Sequence, residues 1–107
     1  MDLIGSIRTS FKKNAVLYSA HARREMHMEE FGPITDGEVC EAVLRGEIIE
    51  TYPEDTPYPS VLIYGSTIPG RPLHIVAAYD QTGKQTIIVT VYHPDPKRWE
   101  GYKRRKQ

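Results

Sequence analysis

The chain has 107 residues and a mass of 12.2 kDa, with 39% hydrophobic and 26% charged residues, which suits one globular domain over 1–107. Its 14 basic and 14 acidic residues cancel, so net charge selects no partner, and the single cysteine, Cys40, excludes an internal disulfide framework and a Cys-only zinc cage. Apolar runs of four to five residues fall far short of the roughly 18 needed to cross a bilayer, and no charged-then-apolar leader opens the chain. The expected setting is the cytoplasm, with no membrane contact.

Residues 2–13 read as a short amphipathic helix, because Leu3, Ile4, Ile7 and Phe11 recur at helical spacing opposite Arg8, Lys12 and Lys13. These residues form an N-terminal helix segment, 1–14, ahead of a core at 15–96. After an extended stretch at 15–18, Ser19 is placed to cap a helix that runs to about Glu30 or Phe31 and stops at Gly32-Pro33, with Ala22 and Met26 as its core stripe. The next helix carries the best-marked start. Thr35 and Glu38 form a T-x-x-E capping box, and Ile34 and Val39 occupy the two positions of a hydrophobic staple. Val39, Cys40, Val43 and Leu44 then make its apolar face, with Gly46 as the stop.

From Glu47 the period changes to strand. Strands are expected over 47–52, around 61–64, over 71–79 and over 85–93, broken by the Pro53–Pro59 loop and the Pro69-Gly70 turn. Asp80 and Lys84 flank Gln81-Thr82-Gly83, which reads as a three-residue hairpin loop with Gly83 left-handed. That register sets Ile75 opposite Val89, Leu73 opposite Val91 and Ala77 opposite Ile87 on a face packed against the helices. On the other face it sets His74 opposite Thr90, with Tyr92 one diagonal step away beside Val76, Ala78 and Ile88. The expected class is α+β: N-terminal helices followed by a roughly four-stranded antiparallel sheet.

Neutrality conceals a segregation of charge. Residues 29–55 hold nine acids against Arg45 alone, while the tail at 97–107 holds six bases against Glu100. Such a pattern arises from solvated helix faces with a loose tail, or from a basic rim that meets phosphates beside an acidic back. In the tail, Trp99 and Tyr102 stand among the bases, an interleaving that suits unpaired nucleic acid; the structural alternative has Trp99 covering one end of the sheet.

Four histidines are the candidates for acid–base work near neutral pH: His21, His27, His74 and His93. His21 falls in the first turn of its helix, where a neutral imidazole beside exposed backbone donors is suited to take a proton from a ribose hydroxyl. Arg24, three residues on, shares its face and is placed to hold a phosphate. His74 is placed to be oriented by Thr90 and Tyr92, the alternative being a cross-strand polar pair at a sheet edge. His27 and His93 lack a partner constellation. No His-x-x-x-His, Cys-x-x-Cys, phosphate loop, nucleophile elbow or dinucleotide fingerprint occurs, so neither metal nor nucleotide cofactor is expected.

The motifs Ser19-x-His21-Ala22, Gly46-Glu47-Ile48-Ile49-Glu50-x-Tyr52-Pro53, Gly70-Arg71-Pro72-Leu73-His74 and Thr90-Val91-Tyr92-x-Pro94-Asp95-Pro96-x-x-Trp99 resemble a family of small prokaryotic domains of unknown function. That family looks related to the RelE-like and barnase-like toxin fold, whose members are metal-independent ribonucleases often encoded beside an antitoxin. His21, His74, Thr90 and Tyr92 fall on its motif positions. Related groups often carry Arg four residues after the motif His, where this chain has Glu25, leaving Arg24 or Arg71 to substitute. The resemblance implies RNA cleavage through the 2′-hydroxyl, with His21 and His74 sharing the acid and base roles. Tyr92 and Thr90 would orient them, and Arg24, Arg71 and Arg98 would hold the phosphate. The alternative is a non-catalytic protein- or RNA-binding module of the same fold.

Overall fold

The computed structural model describes residues 2–107. Helix α1 (Leu3–Lys12) starts at Asp2, whose carboxylate accepts from the Gly5 amide at 3.1 Å, and buries Ile7. Strand β1 (Val16–Tyr18) leads into α2 (Ala20–Met28), capped as expected by the Ser19 hydroxyl, with Ala22 and Met26 buried. Helix α2 ends at Met28, short of the expected Glu30, because Glu29 is already extended. Helix α3 (Asp36–Arg45) has the full capping box between Thr35 and Glu38, and both staple residues, Ile34 and Val39, are buried.

The α3 face departs from expectation. Val39, Ala42 and Val43 are buried, whereas Cys40 is half-buried and Leu44 is exposed. The cause is close approach to the sheet, since a Cβ built on Gly65 would lie 1.9 Å from the Ala42 carbonyl oxygen. Only glycine lets the helix backbone sit on the strand there. Arg8 of α1 completes the helix end, donating to the Val43 and Gly46 carbonyls at 3.3 and 2.6 Å.

The remaining strands are β2 (Glu47–Tyr52), β3 (Ser60–Ser66), β4 (Pro72–Asp80) and β5 (Gln85–Tyr92), followed by the two-residue strands β6 (Trp99–Glu100) and β7 (Arg104–Arg105). The main sheet has the order β1-β5-β4-β3-β2. It is a mixed five-stranded sheet, because β1 pairs parallel with β5, correcting the expected all-antiparallel meander of four. A three-residue run without its own hairpin turn carries no signal of its partner, so the sequence pattern does not reveal this strand. The class is α+β.

The β4–β5 hairpin also differs. Asp80 pairs with Gln85, not Lys84, and the left-handed residue is Lys84, with φ of 52°, in place of Gly83. The Asp80 carboxylate explains both features: it accepts from the Gly83 amide at 2.9 Å and from the Gln85 side chain at 3.3 Å. A Cβ on Gly83 would strike that carboxylate at 2.6 Å, so glycine is needed for space and not for φ. The register then slips once more. Ala77 pairs with Ile88 but Val76 with Thr90, leaving Val89 as a bulge. Together the turn shift and the bulge bring Ile88 and Val91 into the helix-side core with Leu73, Ile75 and Ala77, and remove Ile87 and Val89 from it. They also set His74 directly opposite Tyr92, where Thr90 had been expected.

Helix α2 covers what β1 leaves open along β5. Ser19 donates to the Val89 carbonyl at 2.9 Å, Glu25 accepts from the Val91 amide at 3.0 Å, and Glu29 accepts from the His93 amide at 3.3 Å. Edge-strand donors are thereby satisfied by a helix. The opposite sheet face has no helix over it. There the chain after Pro96 folds back as the β6–β7 hairpin, so the basic tail is not a loose extension and Trp99 is only 5% exposed.

Candidate functional site

Because side chains alternate along strands, the pairings Tyr64–His74–Tyr92 and Glu50–Leu62–Val76–Thr90 point away from the helices. His74 lies at the centre of this face with 0% exposure. Its Nε2 is 2.6 Å from the Tyr102 carbonyl oxygen and its Nδ1 is 3.1 Å from the Tyr92 hydroxyl. A carbonyl only accepts, so Nε2 carries the proton in the neutral ring and Tyr92 donates to Nδ1. Trp99 meets the imidazole edge-on with centroids 4.5 Å apart, and Tyr64 lies 6.0 Å away.

Beside it, Glu50 accepts a bidentate pair from Arg105, Nε at 2.8 Å and Nη2 at 3.1 Å, and a third bond from the Tyr52 hydroxyl at 2.5 Å. Arg105 also stacks over Trp99, its guanidinium carbon 4.7 Å from the ring centroid. Five side chains on one face thus form two linked groups, His74–Tyr92 and Glu50–Tyr52–Arg105, with Trp99 between them.

All five titrate abnormally. Burial lowers His74 from its ordinary value and keeps it neutral, although the Tyr102 carbonyl and the Glu50 charge pull the other way. Burial raises Tyr92. Hydrogen bonds from Arg105 hold Glu50 below the usual carboxylate range, and Glu50 in turn raises Arg105. Tyr52 is pushed up to about 12, first by burial and then by its bond to Glu50. Displaced titration concentrated in one place marks a candidate site. Perturbed groups elsewhere have simpler explanations. Tyr18 rises to about 12 by burial and lies under Arg23, and Glu38 sits in the capping box beside Arg71.

A cleft of about 260 Å³ opens beside this cluster, lined by Tyr92, His93, Asp95, Arg98, Trp99 and Arg105. Arg98 is thus on its rim, while His93 stacks on exposed Phe31 at 4.6 Å and its Nδ1 is buried without a partner. Another cleft, about 400 Å³ between α1 and Tyr79, gathers Lys13, Lys84 and hydroxyls but none of the displaced groups. Among the described residues, no three His, Cys, Asp or Glu side chains converge as metal ligands would.

The structure brings His74 and Tyr92 together, with Arg98 on the rim of the adjoining cleft, and separates them from His21, Arg24 and Arg71. Thr90 shares their face but stands opposite Val76 and makes no bond to His74. His21 lies on α2, 58% exposed, with Nε2 at 3.3 Å from Glu25 Oε1, and nothing links it to His74. Glu25 occupies the position where Arg was looked for because the Val91 amide needs an acceptor there. Arg71 is spent on the fold, donating to Pro33 at 3.2 Å and pairing with Glu38 at 3.2 Å. Arg24 is exposed on α2. Glu50, Tyr52 and Arg105 were missed from sequence. The one available signal was opposite charge, acids on β2 and bases in the tail, which the fold pairs as Glu50–Arg105 and Glu47–Lys103.

A family model described as Domain of unknown function (DUF4258) matches residues 18–93, from the end of β1 to just past β5. The chain belongs to that family. Glu50, Tyr52, His74 and Tyr92 lie within the matched residues, whereas Trp99 and Arg105 lie beyond them. No curated protein and no solved structure matches the chain.

Proposed function

We propose that this DUF4258 domain is a toxin-like, metal-independent endoribonuclease that cleaves RNA through the 2′-hydroxyl, with its chemistry on the open sheet face. The observation that carries the proposal is the convergence of an ionised carboxylate, a neutral imidazole and a guanidinium there: Glu50, His74 and Arg105. As Arg105 turns from Glu50 to the phosphate, Glu50 regains its basicity and accepts the 2′-hydroxyl proton, and the freed oxygen attacks the adjacent phosphorus. Arg105 and the His74 Nε2–H donate to the phosphate oxygens as charge develops. An anionic phosphate beside His74 favours its charged form, so the bound ring becomes able to protonate the departing 5′-oxygen. The P–O5′ bond breaks, leaving a 2′,3′-cyclic phosphate and a 5′-hydroxyl. Tyr92 fixes the imidazole through Nδ1, and Arg98, on the rim of the adjoining cleft, holds a flanking phosphate.

This assignment moves the base role from His21 to Glu50 and keeps His74 as the acid. It includes a RelE-like relationship, work in a prokaryotic cytoplasm, and an antitoxin partner that covers the same face. The test is single-stranded RNA incubated with the purified chain in EDTA. Glu50→Gln is expected to slow cleavage roughly 10²–10⁴-fold, while His21→Ala leaves it nearly unchanged. RNA left intact by the wild-type chain across pH 5–9 overturns the proposal. A second reading, a non-catalytic RNA- or protein-binding module, is favoured by one observation: His74 is fully covered and both its nitrogens are engaged. Salt-sensitive RNA binding without cleavage would leave that reading in place.

A further inference from the structure

The group that covers His74 imitates what the proposed reaction would bring to it. The Tyr102 carbonyl oxygen accepts from His74 Nε2, the position a phosphate oxygen would take, and the Arg105 guanidinium that would meet a phosphate is instead paired with Glu50. The carbonyl is presented by a tight turn. Gly101 and Tyr102 are both left-handed, with φ of 56° and 63°, and the Lys103 amide closes the turn on the Glu100 carbonyl at 3.0 Å. Two consecutive left-handed residues make a type I′ hairpin, and Tyr102 lacks the glycine or asparagine that such a turn prefers.

The hairpin forms its own two-stranded sheet, with no strand ladder joining it to the main sheet. Its strands pair at two positions, Trp99 with Arg105 and Glu100 with Arg104, and its ties to the sheet include Glu50–Arg105, Glu47–Lys103 at 3.2 Å, the His74 bond and the burial of Trp99. Both ion-paired bases are more than half exposed, Lys103 at 52% and Arg105 at 64%, where such pairs contribute little and are open to exchange. A polyphosphate offers these two bases the anions that Glu47 and Glu50 now supply, with many more charges per length. The strap also lies beyond residues 18–93, the part matched by the family model, while most of the groups it covers lie inside it.

We infer that the hairpin Trp99–Arg105 is a displaceable strap that closes the sheet-face site by standing in for substrate, and that the phosphodiester backbone of RNA releases it, Arg105 exchanging Glu50 for a phosphate as the Tyr102 carbonyl leaves His74. The inference rests on the proposed reaction for what the opened face would do, but the opening itself is measured separately. Gly101→Pro is the direct variant: proline cannot adopt the left-handed turn, and nothing lies within 4 Å of a Cβ at that position. Reaction of His74 with diethylpyrocarbonate, located by mass spectrometry, reads its accessibility. Modification is expected to be at least about tenfold faster in Gly101→Pro than in the wild-type chain. Trp99→Ala, which removes the strap's buried anchor, serves as a second opener.

In the wild-type chain, Trp99 is the one tryptophan, so its emission reports the strap. An uncleavable 2′-O-methyl RNA should shift that emission to the red in a saturable, salt-sensitive way. Equal His74 reactivity in both folded variants and the wild type, with no emission change on adding the oligonucleotide, overturns the strap. If RNA is cleaved while His74 stays unreactive and Trp99 silent, the strap falls and the nuclease stands. If His74 opens on variation and Trp99 responds to RNA but no RNA is cut, the strap stands and the nuclease falls.

Discussion

Replacing His74 by Gln should change not only the stability of the protein but also its dependence on pH. His74 is completely buried, and burial lowers its folded-state value below that of the unfolded chain, about 6.5. The unfolded state therefore binds a proton that the folded state refuses, and stability falls as pH drops below about 6.5. One such group contributes a slope of at most about 1.4 kcal/mol per pH unit. At pH 8 the variant loses two hydrogen bonds, each worth about 1 kcal/mol, and leaves the Tyr92 hydroxyl or the Tyr102 carbonyl poorly matched. A cost of about 2–4 kcal/mol is expected there, a large share of the roughly 5–15 kcal/mol of a typical domain. Urea unfolding followed by far-UV circular dichroism at pH 5, 6, 7 and 8 measures both effects. The gap between wild type and variant should narrow steadily as pH falls from 7 to 5, because only the wild type carries the titrating ring. Parallel stability curves over that range would refute the assignment of His74 as a buried neutral imidazole.

Gly65→Ala should cost at least about 2 kcal/mol in the same assay, since its Cβ meets the Ala42 carbonyl at 1.9 Å and the α3 backbone must shift; a variant as stable as wild type would contradict that close approach. Thr35→Ala should cost about 1 kcal/mol by removing half of the capping box, and Glu38→Ala should destabilise further even in that background, since Glu38 also accepts from the residue 35 amide and pairs with Arg71. Arg98→Ala should weaken RNA binding and reduce the slope of log affinity against log salt by about 1, measured by fluorescence anisotropy. Deleting residues 103–107 should flatten that slope further, and an unchanged slope would show that the tail does not meet phosphate.

Helices and most strands were legible because their signals are local. The Thr35–Glu38 box, the Ser19 cap and the Ala22–Met26 stripe each involve residues within four positions, and all three appear in the structure. What failed to read through was set by long-range geometry. The Val89 bulge depends on how β5 meets the helix layer, and together with the one-residue shift at the Asp80–Gln85 turn it moved Tyr92 from a diagonal to a direct neighbour of His74. Alternation in the 85–92 segment cannot show this, since Ile87, Ile88 and Val89 are equally apolar. His74 and Tyr92 were recognisable because they fall on facing strands of one hairpin. Glu50 and Arg105 are 55 residues apart and joined only by the fold-back of the tail, so charge segregation hinted at their attraction without naming the pair. His21 drew attention by its place at a helix start, yet that helix lies on the other side of the sheet core, with Ala22 and Met26 turned inward.

The central claim is that Glu50, His74 and Arg105 act together on a ribose-linked phosphate, and end-group analysis of cleaved RNA tests it most directly. Wild-type chain in EDTA at pH 7 should release fragments ending in 2′,3′-cyclic phosphate and beginning with a 5′-hydroxyl, and should leave a 2′-O-methyl RNA of the same sequence whole. Glu50→Gln should form the same ends roughly 10²–10⁴-fold more slowly. Fragments with 3′-hydroxyl ends, cutting of the 2′-O-methyl strand, or no cutting of either would contradict it.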